Sequence, residues 1–147
     1  VLLPCPAYGK GIAFSTGHSG DLYCIAVSIA ASVGLDLELV RPLPRAYAIA
    51  DRWFGRAEAD HLKAFAEDEA PAEFMRMWTA KEALAKRHGA GLRLMRGREG
   101  ELDIEAASAQ RLLRFFSPGP GYMGAIASTE VIDDLEVIRP GDDVWIT

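Results

Sequence analysis

The segment Gly34-Leu35-Asp36-Leu37-Glu38 places two carboxylates at i and i+2 within a run of strand-forming residues. On a strand both project from one face, while Leu35, Leu37 and Leu39 project from the other. Acidic residues are depleted in strands, and two on one face repel unless a cation or solvent separates them. The pair therefore reads as hard oxygen ligands for Mg²⁺, with an exposed strand face as the plainer reading. A second signal lies in Trp78-Thr79-Ala80-Lys81-Glu82-Ala83-Leu84-Ala85-Lys86. There Trp78, Glu82 and Lys86 stand at i, i+4 and i+8, one stripe of a helix. A surface ion pair of about 0.2–0.5 kcal/mol and a core tryptophan is the plainer alternative. The third signal is His18, between Gly17 and Ser19-Gly20-Asp21, at an expected turn between two strands. Backbone amides, a hydroxyl and an imidazole meeting there suit a phosphate, whereas a bare hairpin turn needs no ligand. His61 and His88 have no partner spacing and read as surface residues.

These residues need elements to position them. Ile12 to Thr16, Leu22 to Ser28 and Val33 to Leu39 are β-branched or aromatic runs and read as neighbouring strands. After Pro42 and Pro44 the period becomes helical in Arg45 to Phe54, and a second helix is expected near Gly55 with Glu58 as the acidic half of a capping box. A third helix runs from Pro71 to a stop at Gly89, with Lys86, Arg87 and His88 at the negative end of its dipole. Phe74, Met77, Trp78 and Leu84 form its apolar stripe. A basic, glycine-rich stretch follows with Arg93, Arg96 and Arg98, then expected strands at Glu101 to Ile104, Arg111 to Phe116 and Tyr122 to Ser128. The expected fold class is α+β, an antiparallel sheet packed against about three helices. Residues 1–130 read as one domain and residues 131–147, with Pro140 and Gly141, as a C-terminal tail.

Composition narrows the function classes. The chain has 147 residues, half of them hydrophobic, and a net charge of −5, the profile of a soluble globular domain rather than a general nucleic-acid binder. Cys5 and Cys24 are too few for a disulfide framework and lack zinc-ligand spacing. No apolar run reaches the roughly 20 residues that span a bilayer. No membrane segment and a cytoplasmic location are expected.

The order of the three signals resembles the 4′-phosphopantetheinyl transferases, over roughly Ile12 to Ser128. The family pattern is G-[IV]-D-[IL]-E on a strand, then W-[ST]-x-K-E-[AS]-x-x-K on a helix, with F-N-x-S-H-S upstream in the larger, surfactin-synthetase-activating type. Phe54-Gly55-Arg56-Ala57-Glu58 is similar to the family's F-[SF]-x-x-E, and Gly89-Ala90-Gly91-Leu92 to its G-x-G-L. The resemblance implies Mg²⁺-dependent transfer of phosphopantetheine from coenzyme A to a serine of an acyl or peptidyl carrier protein, releasing adenosine 3′,5′-bisphosphate. It implies that Asp36, Glu38 and Glu82 hold Mg²⁺ against the pyrophosphate and that Lys86 binds a phosphate oxygen. His18, with Ser19 and the adjoining turn, would meet the 3′-phosphate of coenzyme A. Lys81 would add positive charge, and Glu82 would help take the serine proton.

Two departures stand out. Where the family's F-N-x-S-H-S has Asn and the serine before histidine, this chain has Ser15 and Gly17, and Ala90 replaces a frequent lysine, so anion binding is affected rather than the metal ligands. The match is to the second half of the larger type, in which two similar halves enclose coenzyme A. The chain is expected either to be part of a longer protein supplying the first half or to self-associate, as the short type does. A non-catalytic, transferase-like interaction domain is the alternative from another class. Arg41, Arg45, Arg52 and Arg56 are candidate docking residues for an acidic carrier.

Overall fold

Apolar residues at alternate positions produce two three-stranded antiparallel sheets rather than one. The first contains β1 (Leu2–Cys5), β2 (Lys10–Ser19) and β3 (Leu22–Ser28) in that spatial order. The second contains β4 (Val33–Leu39), β5 (Leu113–Phe116) and β6 (Tyr122–Ser128) in the order β4-β6-β5. Four helices accompany them: α1 (Ala46–Trp53), α2 (Arg56–Leu62), α3 (Ala70–Arg87) and α4 (Ile104–Ala109). The computed structural model describes residues 2–5, 10–29, 31–89 and 102–138. The expected α+β class holds. Ala90, Gly91, Leu92, the arginines of the basic stretch, and Pro140 and Gly141 lie outside the described residues.

The layers follow from the two faces of β4. Its even positions, Gly34, Asp36 and Glu38, pair with Ala127, Ala125 and Met123 of β6. Ala125 and Ala127 belong to the larger core, where α3 contributes Phe74, Met77, Ala80, Ala83 and Leu84. Its odd positions Val33 and Leu35 join Ala13 and Ala26 of the first sheet in a second, smaller core, with Cys24, Phe116 and Ile126 at its margin. The order is therefore α3, second sheet, first sheet. Leu37, Leu62, Met77, Leu84 and Leu113 are wholly buried, each contributing about 1.5–3 kcal/mol. The outer face of the first sheet has no such cover: Phe14, Tyr23, Ile25 and Val27 are exposed.

Glycine at position 34 decides how close α3 comes. A Cβ there would collide with the Ala83 carbonyl oxygen and the Arg87 amide nitrogen, so the helix backbone rests directly on the strand. Glu73, near the start of α3, gathers one partner from its own helix and one from α2. Arg76 makes two hydrogen bonds of 2.8 Å to Glu73, and His61 lies 3.1 Å from the same carboxylate. Burial acts to raise the Glu73 pKa, but Arg76 and His61 outweigh it and hold the group below its ordinary value.

The structure corrects two expected elements. The Leu-Asp-Ile-Glu alternation expected as a strand at Glu101 to Ile104 instead leads into a helix, α4. The Asp103 carboxylate accepts the Ala106 N–H at 2.9 Å, an N-cap that favours helix over strand. His18 lies in a strand and not in a turn: β2 continues through Gly17 to Ser19, and His18 pairs with Tyr23 across the ladder. The turn itself is Gly20 and Asp21. β1, unforeseen, extends the first sheet by pairing Leu2 to Cys5 with β2. Residues 131–138 carry no regular secondary structure, yet Ile132 N–H donates to Arg111 O at 2.9 Å and Asp133 pairs with Arg111. No helix among the described residues is long and apolar enough to cross a membrane.

Candidate active site

The two acidic positions of β4 are carried under α3 by the alternation that buries the strand. Asp36 is buried, at 7% exposure, where the sequence alone allowed an exposed face. Burial raises its pKa; the attraction and hydrogen bond of Lys86 oppose that, and Glu38 adds repulsion. The net direction is upward, so burial outweighs the ion pair. Glu82, half-buried on α3, is raised as well, first by burial and then by Asp36, with Lys86 opposing and Glu38 contributing further. Those shared causes place Asp36, Glu38 and Glu82 in one electrostatic cluster.

Lys86 closes the cluster on one side. Its ammonium donates to Asp36 Oδ1 at 2.7 Å, to Leu35 O at 3.0 Å and to Thr16 O at 3.4 Å, so it reaches β2 and β4 at once. Asp36 Oδ2 is buried with no hydrogen-bond partner. On the far side Ser19 Oγ donates to Glu38 Oε2 at 2.7 Å. Among the described residues no three His, Cys, Asp or Glu side chains are arranged so that they could hold a metal ion. By donor chemistry alone, and not by their present arrangement, Asp36, Glu38 and Glu82 suit a hard divalent cation. They offer carboxylate oxygens alone, one of them buried and unpaired, and the mutual repulsion is what such an ion relieves.

β2 meets this cluster along the free edge of β4. Ser15 Oγ accepts the Leu35 N–H at 2.9 Å and Ser19 Oγ accepts the Leu39 N–H at 3.1 Å. Between them Gly17 lies so close that a Cβ would stand 3.2 Å from Leu37 N and 3.3 Å from Asp36 Cα. The hydroxyl missing at Gly17 thus coincides with a tight seam between the sheets. His18 projects from the opposite face of β2, exposed and stacked on Tyr23 with ring centroids 5.1 Å apart and planes 16° from parallel.

Lys81 is not brought to the cluster. Its ammonium sits 2.9 Å from Glu58 Oε2 and over the Phe54 ring at 5.8 Å, in a side chain only 8% exposed. The reason is helical: Lys81 is one residue, about 100°, around α3 from Glu82. Glu58 also accepts the Gly55 N–H at 2.8 Å at the start of α2. The Phe54…Glu58 segment and Lys81 therefore form one structural joint between α2 and α3. Trp78, on the stripe with Glu82, is half-buried and stacks on Phe74 at 5.8 Å, as a core residue would. What sequence reasoning missed was Thr16, whose carbonyl receives Lys86; a backbone acceptor leaves no trace in residue type.

Three acidic groups and a lysine are thus brought toward one another between one strand and one helix of an α+β domain. Sequence comparison identifies the family. A profile described as the 4′-phosphopantetheinyl transferase superfamily matches residues 32–123. The chain belongs to that superfamily. It is 34% identical over 86 residues to the 4′-phosphopantetheinyl transferase AcpT of Salmonella typhimurium, covering 57% of this chain and 45% of that protein. It is 30% identical over 124 residues to psf-1 of Bacillus pumilus, covering 78% and 52%. With Sfp of Bacillus subtilis it shares 27% identity over 124 residues, 78% of this chain and 54% of the other. The chain spans about half the length of the curated relatives it matches.

Proposed function

We propose that this chain carries the catalytic half of a holo-carrier-protein synthase, which moves the phosphopantetheine arm of coenzyme A to a carrier-protein serine. The observation that supports it most is the meeting of Asp36 with Lys86, fifty residues apart in sequence, in a carboxylate cluster with one buried oxygen unpaired. Asp36, Glu38 and Glu82 would hold Mg²⁺, which when bound neutralises charge on the pyrophosphate. Lys86 turns from Asp36 to a phosphate oxygen once the carboxylate has another partner. Glu82 would also take the serine proton, directly or through water. The serine oxygen bonds to phosphorus as the pyrophosphate linkage breaks, and adenosine 3′,5′-bisphosphate leaves. No covalent enzyme nucleophile is required.

His18, on the open face of the first sheet, would meet the 3′-phosphate. His18→Ala is expected to weaken coenzyme A by about 1–3 kcal/mol, the scale of a charge-assisted hydrogen bond. Dephospho-coenzyme A, which lacks that phosphate, should be little affected. Calorimetric titration of both ligands checks this, and equal losses would assign His18 another role.

The same open face, with Phe14, Tyr23, Ile25 and Val27 exposed, is where a second wall of the coenzyme A cleft would rest, supplied by another segment or by a second copy. Arg41, Arg45, Arg52 and Arg56 are all exposed and available to an acidic carrier. Mass spectrometry of apo-carriers incubated with the protein, coenzyme A and Mg²⁺ tests the reading. The expected result is the added arm on serine. An interaction module of this fold would leave the carriers unmodified and bind coenzyme A without Mg²⁺ dependence.

A further inference from the structure

The inner face of β2 presents Ala13, Ser15, Gly17 and Ser19 in alternation, and its two hydroxyls serve the free edge of β4 at the same sequence offset. Ser15 accepts one amide proton, from Leu35, and that suffices to hold its end of the seam. Ser19 does more. It accepts the Leu39 N–H at 3.1 Å and also donates to Glu38 Oε2 at 2.7 Å.

A seryl hydroxyl has one proton. In Ser19 that proton is engaged by an ionisable carboxylate at a distance typical of a strong O–H···O bond. A phosphate oxygen only accepts, so a contact to it would require withdrawing the same proton from Glu38. Glu38 is half-buried and sits at the end of a flexible side chain near the terminus of β4. Among its described hydrogen bonds, the one from Ser19 sets the direction of the carboxylate.

We propose that Ser19 is a positioning residue that aims Glu38 at the carboxylate cluster and acts on coenzyme A only through Glu38. The proposal rests on the reading of Asp36, Glu38 and Glu82 as a divalent-cation site, and it replaces a direct Ser19–phosphate contact.

Mn²⁺ alone is the probe, its binding followed by electron paramagnetic resonance. Proteins compared are the wild type, Ser19→Ala, Ser19→Thr, Glu38→Gln and the Ser19→Ala/Glu38→Gln double variant. Ser19→Ala should raise the Mn²⁺ Kd about tenfold, the scale of one hydrogen bond to a charged group. Ser19→Thr, which keeps the hydroxyl, should stay within about twofold of the wild type. In the Glu38→Gln background the alanine change should add less than about twofold, because the hydroxyl acts through that carboxylate. Coenzyme A affinity at saturating Mn²⁺ should be nearly unchanged by Ser19→Ala. If Ser19→Ala does not fold, Ser19→Cys, a weaker donor at the same place, should fall between alanine and wild type.

Wild-type Mn²⁺ affinity in Ser19→Ala or Ser19→Cys would overturn the proposal, most clearly if coenzyme A binding fell instead. So would a full tenfold effect persisting without the Glu38 carboxylate, since the hydroxyl would then act through the fold. A wild-type protein that binds no Mn²⁺ would remove the cation site itself, and the role of Ser19 with it.

Discussion

Glu82→Gln should abolish transfer and, without divalent cations, raise the thermal midpoint at neutral pH. Both effects have one cause. Burial raises the Glu82 pKa, and the charges of Asp36 and Glu38 raise it further against the pull of Lys86. A group whose folded pKa is raised contributes stability that is fully present below its unfolded value, about 4.3 for glutamate, and lost as pH rises through the folded value. At neutral pH the ionised carboxylate therefore opposes folding, and glutamine relieves it. The gain in midpoint should shrink toward pH 4 and should vanish on adding Mg²⁺ to saturation, because the ion performs the same neutralisation for the wild type. Asp36→Ala and Glu38→Ala should also abolish transfer. For Asp36 the midpoint should hold, since Lys86 keeps the Leu35 and Thr16 carbonyls as acceptors and its side chain, 31% exposed, also reaches water. Scanning calorimetry over pH, beside the carrier assay, checks all three. Near-normal turnover at limiting Mg²⁺ in any of them would take that residue out of the site.

The second large effect is expected at a residue with no side chain. Gly34→Ala inserts a methyl group where the Ala83 carbonyl and the Arg87 amide already stand, and neither can move without shifting α3. Overpacking of this kind costs about 1–3 kcal/mol, and more where the obstacle is backbone rather than a flexible side chain. Any shift carries Glu82 and Lys86 away from Asp36. Transfer should therefore fall at least a hundredfold, because a misplacement of about 1 Å has that scale of effect on a reacting geometry. Gly17→Ala is the contrasting case: its nearest neighbours would be 3.2–3.4 Å away, and a displacement of a few tenths of an ångström absorbs it. Chemical denaturation and kcat for the two variants measure the difference. A Gly34→Ala protein of wild-type stability would mean that the close approach of α3 is not maintained in solution.

Much of the site could be read from local pattern. The i, i+2 spacing of Asp36 and Glu38 and the i, i+4 spacing of Glu82 and Lys86 are properties of strand and helix periods. The spans of β3, β4 and β6 match those expected from the residues alone. Periods fail where a competing local interaction intervenes. The N-cap of Asp103 converted an alternating Leu-Asp-Ile-Glu run into the approach to α4, and ladder pairing carried β2 through Gly17 and His18 although glycine and serine there suggested a turn.

By itself the sequence determined which side chains share a face, and through its ordered motifs it determined the family. Only the tertiary structure decided which faces meet. Lys81 and Glu82 are adjacent in sequence, yet one is bound to Glu58 beneath α2 and the other joins the carboxylate cluster. Ser19 and Glu38 are joined by a single shared proton across the seam between two sheets. Asp36 is buried rather than exposed because Gly34 lets the backbone of α3 settle on the strand. The physical reason is common to all three. Periodicity is a property of one element, whereas hydrogen-bond partners, burial and the pKa values that follow from them belong to the space between elements.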